Sequence, residues 1–260
     1  VLGSDMKRFF FCLWPMLFIA QQGTIWPPGG SCLTLPAMEK FAVIYERACE
    51  RKGGEAALAR LMPKVRSPRA LAASKNDRWL AEMTRCIFQA GFVWRVVDRK
   101  WDDFEDVFFG FPPEKILMLS PDQIDRFARN PRIIRNRQKV LSIQANAQYI
   151  LDISKEHGSF GKFVSHWPEG DLVGLFLHMK KGGSRLGGMS GQRVLRNMGK
   201  DTFVVTGDVV RCLRRAGVEI GENPSSQREM RLVQAAFNEW QTQSSLPYSH
   251  ISRICASSLE

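Results

Sequence analysis

The stretch Ser184-Arg185-Leu186-Gly187-Gly188-Met189-Ser190-Gly191-Gln192-Arg193-Val194-Leu195-Arg196-Asn197 decides how the chain is read. Gly187, Gly188 and Gly191 form a glycine-rich turn that opens a short basic helix. Backbone N–H groups at such a turn and helix start bind a DNA phosphate without reading base sequence. Glycine is needed because a side chain would hold the phosphate away. Lys180, Lys181, Arg185 and Arg193 surround the same spot. Taken alone, the glycine cluster reads equally well as a flexible loop.

Downstream come Gly199, the β-branched patch Phe203-Val204-Val205-Thr206, and then Asp208 at the head of an amphipathic helix carrying Val209, Cys212, Leu213 and Ala216. The patch reads as an extended approach to that helix rather than as a sheet strand. Asp208 has two readings. Asp is a favoured helix cap, and a carboxylate over a helix N-terminus is also kept ionised for chemistry.

Elsewhere, apolar residues recur at helical spacing. Phe41, Ile44, Tyr45 and Ala48 form one stripe, ended by Gly53-Gly54. Leu80, Met83, Ile87 and Trp94 form another. Ser120-Pro121-Asp122-Gln123 combines a cap, a first-turn proline and a capping-box glutamine. Further helices are marked by Val140, Ile143, Ala147, Ile150 and Leu151, by Met230, Val233, Phe237 and Trp240, and by Ile251, Ile254 and Cys255. No run alternates with period two. The expectation is an all-α chain of eight to ten short helices.

The 260 residues are 44% hydrophobic, enough for one or two cores, and the formal net charge is +11. That surplus is local. Residues 126–139 hold six basic and no acidic side chains, and residues 180–217 hold nine basic ones against Asp201 and Asp208. Concentrated positive charge suits a polyanion. The six cysteines, Cys12, Cys32, Cys49, Cys86, Cys212 and Cys255, include no CxxC pair. They read as free thiols in a reducing compartment, with neither a zinc site nor an iron–sulfur cluster. Residues 6–20, a basic start followed by an apolar run that Pro15 interrupts, look like a secretory signal but are short for a membrane span. They are judged not functional. Residues 1–37 are expected to be extraneous, with a natural start at Met38.

The segment from the hairpin to Asp208 resembles the helix-hairpin-helix DNA glycosylases. In that superfamily a glycine hairpin leads, after about twenty residues, to a catalytic aspartate at a helix start, although here Gly187 breaks the usual pattern and the proline is missing. Upstream, Gln89-Ala90-Gly91-Phe92-Val93-Trp94 resembles the Gln-Ala-Gly-Leu-Ser-Trp motif of the 3-methyladenine DNA glycosylase I family. Ile133-Ile134-Arg135-Asn136-Arg137-Gln138-Lys139 resembles that family's Gly-Ile-Ile-Arg-His-Arg-Gly-Lys. The likeness runs over residues 78–218, including the aromatic-rich stretch 101–111.

The resemblance implies a two-lobed helix-hairpin-helix fold. One lobe spans residues 78–202 and carries the hairpin, and the second combines residues 38–77 with 203–260. It implies a monomeric, monofunctional glycosylase that removes alkylated, 3-methyladenine-like purines from damaged double-stranded DNA in the cytoplasm, at the nucleoid, with no membrane association. Ser190 stands where bifunctional members carry a Schiff-base lysine. Asp208 would be catalytic, stabilising positive charge on the sugar and orienting water. Trp94 would stack on the extruded base, with Gln89, Phe88, Cys86 and Glu82 around the pocket; the plain reading of Trp94 is core. Gly187, Gly188, Ser190, Gly191, Arg185, Arg193, Lys181, Arg137 and Lys139 would hold phosphates. Two departures stand out. Cys86 occupies the position of the family's base-reading glutamate, for which Glu82, one turn earlier, is the candidate substitute. The family's zinc ligands have no matches, so neither metal nor cofactor is expected. The alternative is a non-catalytic helix-hairpin-helix DNA-binding protein that has lost the activity.

Overall fold

The computed structural model describes residues 38–259, and all regular structure among them is helical. Residues 1–37, with the signal-like segment 6–20, lie outside the described residues. Among the described residues no helix is long and apolar enough to cross a membrane.

The helices are α1 (Phe41–Lys52), α2 (Glu55–Ala59), α3 (Pro68–Ala72), α4 (Asn76–Gln89), α5 (Trp94–Arg99), α6 (Trp101–Val107), α7 (Pro113–Leu117), α8 (Pro121–Arg129), α9 (Arg137–His157), α10 (Phe160–His166), α11 (Leu172–Gly182), α12 (Met189–Met198), α13 (Gly207–Arg215), α14 (Gln227–Ser244) and α15 (Tyr248–Ser257). There are more of them than periodicity predicts because α2, α3, α5, α6, α7 and α10 span only five to seven residues. Two turns or fewer are too short to show a 3.6-residue repeat. Local signals are obeyed where they exist. Gly53 ends α1 at φ 81°. Ser120 and Gln123 cap α8 reciprocally, behind Pro121 in the first turn.

α9 is packed on by α4, α7, α8 and α10, while α15 is packed on by α1, α13 and α14. The aromatic stretch of α6 and the loop after it packs against α4. Trp101 and Phe111 lie 5.6 Å apart and nearly parallel, and Phe88 of α4 meets Phe104 edge-on at 4.7 Å. Residues 203–206 are extended, as expected, but have no partner strand among the described residues. Buried backbone groups need partners, and here side chains supply them. Thr202 and Val204 donate N–H to the hydroxyls of Ser249 and Ser252, both at 3.1 Å, and Val205 donates to Gln192 Oε1 at 2.8 Å. α15 and α12 thereby stand in for a sheet neighbour.

The turn between α11 and α12 is clamped from the side. Asn146, buried on α9, accepts from Ser184 N at 2.7 Å and donates to Ser184 O at 3.1 Å. Leu186 anchors the turn in the core. Gly188 adopts φ 57°, ψ −139°, a region that is essentially glycine-only. The Leu186 carbonyl crosses α12 at Gly191, where a Cβ would overlap its oxygen. Gly191→Ala is therefore expected to lower stability by about 1–3 kcal/mol despite alanine's better helix propensity. Gly207→Ala, whose Cβ would meet nothing within 4 Å, is expected to be neutral or mildly stabilising. Urea denaturation of both variants checks the contrast, and equal midpoints would rule out the close crossing.

Candidate nucleic-acid interface and base pocket

α4 packs against α12, and the two helices turn polar stripes toward each other. From α4 come Glu82 and Cys86, one turn apart; from α12 come Arg193 and Asn197, again one turn apart. Asn197 Nδ2 donates to Glu82 Oε1 at 2.7 Å, and the Cys86 thiol donates to the same oxygen at 3.3 Å. Burial pushes the Glu82 carboxyl above its ordinary value, and the bonds from Asn197 and Cys86 offset part of that rise. Burial, followed by the charge of Glu82, pushes the Cys86 thiol up as well. Cys86 is thus a neutral donor to a carboxylate.

Gln89 lies on the next turn of α4. Its Nε2 donates to Asp98 Oδ1 at 3.0 Å, and Arg85 pairs with the same Asp98 oxygen at 2.7 Å. Its amide is therefore engaged in tying α4 to α5. α4 stops at Gln89, Gly91 turns at φ 68°, and Trp94 opens α5. Trp94 consequently leaves the α4 stripe and stands 47% exposed, with the Arg193 guanidinium 4.2 Å from its ring centroid. The plain reading of Trp94 as core is corrected: the chain reverses at Gly91 before the helical stripe can reach it. Phe88 is fully buried against Phe104.

At the hairpin, the N–H groups of Gly187, Gly188, Met189 and Ser190 meet no acceptor among the described residues. Lys180, Lys181 and Arg185 are exposed beside them, Arg185 reaching Gln138 Oε1 at 2.6 Å. Four N–H groups at a helix start, rimmed with positive charge, form an anion cradle. Gly191 faces inward to the crossing described above. Lys139 is spent elsewhere. Its ammonium donates to the carbonyls of Phe88 at 3.1 Å and Ala90 at 2.8 Å, closing the end of α4, and burial lowers its pKa. Arg137 pairs with Asp125 at 2.7 Å on the surface.

Asp208 sits in the first turn of α13 without capping it. Thr206 is the cap, its hydroxyl accepting from Val209 N at 3.3 Å. The Asp208 carboxylate is half-exposed and held by Arg211 at 2.6 Å. It makes no hydrogen bond to the Glu82 cluster, and its tie to α12 runs through Val205 and Gln192. Sequence reasoning missed Asn197, whose partner lies 115 residues away. It also missed a cavity of about 290 Å³ lined by Arg47, Arg51, Arg211, Arg215, Ser258 and Leu259, which borders the partner of Asp208 rather than Trp94. The only advance signal for that cavity was two arginine pairs at i, i+4.

The Glu82 carboxyl has a pH consequence. Its folded value lies above its unfolded value. Wild type therefore carries a desolvation penalty above that raised value, and the penalty disappears as pH falls through it to the ordinary carboxylate range. Glu82→Gln has no such group, so wild type is expected to gain stability relative to the variant on acidification. Thermal melts of both proteins at a series of pH values test this, and parallel curves would contradict it.

Residues 72–210, more than half of the chain, match the family profile described as Methyladenine glycosylase. The chain is 29% identical over 85 residues to DNA-3-methyladenine glycosylase 1 of Escherichia coli (strain K12), covering 31% of this chain and 46% of that protein. It is 33% identical over 76 residues to the DNA-3-methyladenine glycosylase of Haemophilus influenzae, covering 29% and 41%. The aligned part thus spans less than half the length of these curated relatives. Among solved structures, the 8-oxoguanine DNA glycosylase of Methanocaldococcus jannaschii superposes with a TM-score of 0.51 over 81% of this chain and 91% of that one, at 17% identity, a likeness of fold alone. With a helix-hairpin-helix turn, an all-helical fold and a profile match across α4 to the start of α13, this chain belongs to the methyladenine glycosylase family.

Proposed function

We propose that this protein is a monofunctional DNA glycosylase that hydrolyses the N-glycosidic bond of alkylated, 3-methyladenine-like purines in double-stranded DNA, the base-releasing step of base excision repair. The observation that carries the reading is Trp94, an exposed aromatic wall met by Arg193 of α12, the helix whose Asn197 also holds the half-buried Glu82 carboxyl, on a member of this family. An extruded purine with alkyl-induced positive charge gains from an aromatic face. Glu82 Oε1 already accepts two bonds, and its second oxygen serves an N–H on the base edge. That supplies from one helical turn earlier the carboxylate that Cys86 does not.

Asp208 is the catalytic group in this reading. Breaking the glycosidic bond builds positive charge on the sugar, and a fixed carboxylate stabilises it and orients the attacking water. Arg211 holds that carboxylate in one place. Thr206 frees Asp208 from capping duty. A cationic base is a good leaving group, so one carboxylate suffices. Ser190 offers no amine for a Schiff base, and the reaction ends at hydrolysis. The hairpin N–H groups, with Lys181 and Arg185, hold the phosphate backbone. We further assign residues 78–202 to a hairpin-bearing lobe and residues 38–77 with 203–260 to the second. The packing of α4, α7, α8 and α10 around α9, and of α1, α13 and α14 around α15, supports the division, while contact of α3 with α10 crosses it.

The test is release of free 3-methyladenine from duplex DNA treated with a methylating agent. Asp208→Asn is expected to slow release about 100- to 1,000-fold, with affinity for the same duplex retained. Binding without release by wild type, or unchanged release by Asp208→Asn, would overturn the assignment.

A further inference from the structure

Arg193 is placed unlike any other arginine around the site. Its guanidinium lies 4.2 Å from the Trp94 ring centroid, yet among the described residues it makes no hydrogen bond or ion pair. The carboxylate of Glu82, on the helix that faces α12, is committed to Asn197 and Cys86 instead. The side chain is half-buried, and burial disfavours its charge. A guanidinium does not lose its proton under ordinary conditions. The result is a poorly hydrated cation held on one indole face by the ring quadrupole.

That face and that force are what a positively charged base would use, and two cations cannot occupy the same face together. We propose that Arg193 is a resident cation that a positively charged base must displace from Trp94, so that this residue sets the preference of the pocket between cationic and neutral bases. The proposal rests on the glycosylase reading above and adds to it a specificity-determining residue. Displacement has a destination. Arg193 keeps its N–H donors unspent within the protein, and the hairpin at the start of the same helix bares four N–H groups to an anion. A phosphate held there suits the departing guanidinium. DNA thus draws the cation away as the base arrives, whereas a free base has to expel it unaided.

The experiment uses the full chain as wild type, Arg193→Gln and Arg193→Lys. Each is titrated with 1-methyladenosine, cationic at neutral pH, and with neutral adenosine. Tryptophan fluorescence reports binding, and Trp94→Phe identifies the responding residue. Arg193→Gln is expected to bind 1-methyladenosine roughly tenfold more tightly, the scale of one lost cation–π competitor, with adenosine within about twofold of wild type by the same reasoning. Arg193→Lys keeps a cation on the ring and is expected to behave as wild type. In duplex DNA, Arg193→Gln should raise release of methylated purines relative to release of hypoxanthine. Three results would overturn the proposal: no change on Arg193→Gln, an equal change for both nucleosides, or the same change in Arg193→Lys. Failure of the glycosylase reading would look different, with no base released by any variant while the nucleoside titrations still separate charged from neutral ligand.

Discussion

Successive residues of α12 hold different parts of the site, and α12 is itself held by the backbone of the turn before it. Gln192 fixes the extended segment leading to Asp208, Arg193 covers Trp94, and Asn197 reaches Glu82. None of these contacts survives a shift of the helix along its axis. The register comes from the Leu186 carbonyl lying against Gly191 and from the paired bonds between Asn146 and Ser184. A carbonyl packed against a helix leaves no room for a side chain, so the demand for glycine at 191 is steric. At 188 it is conformational. One short segment therefore bares its amides on one side and fixes the contacts of α12 on the other.

The contact between α4 and α12 also sets a thiol against a carboxylate. Cys86 and Glu82 lie one turn apart on the same face of α4. Glu82 is partly withdrawn from water, which is why its carboxyl is pushed up. Asn197 and the Cys86 thiol, both donating to Oε1, keep the ionised form tolerable. The two helices are held together by a polar contact whose energy depends on protonation.

What was legible in the sequence follows the range of each interaction. The capping box at Ser120 and Gln123, the glycine stop at Gly53 and the glycine turn that opens α12 act within a few residues, and as local structure they read correctly. The all-helical class and the extended approach to Asp208 were legible for the same reason. The six shortest helices were not, since they carry too few turns to repeat a pattern. Trp94 was drawn onto the α4 stripe because spacing ignores the turn at Gly91. Lys139 looked like a phosphate ligand because its charge is local information, whereas its partners, the carbonyls of Phe88 and Ala90, lie about fifty positions away. A still longer separation, 115 residues, hid Asn197 from Glu82.

The state of the Cys86 thiol has a bearing on durability. Proteins that handle methylated DNA are exposed to the electrophiles that methylated it, and a thiolate is the side chain such reagents attack first. Cys86 is buried, its proton is engaged by Glu82, and its ionisation is strongly disfavoured. Sulfur in that form is a poor nucleophile. The arrangement that sets the cysteine beside the Glu82 carboxylate also spares it from being alkylated.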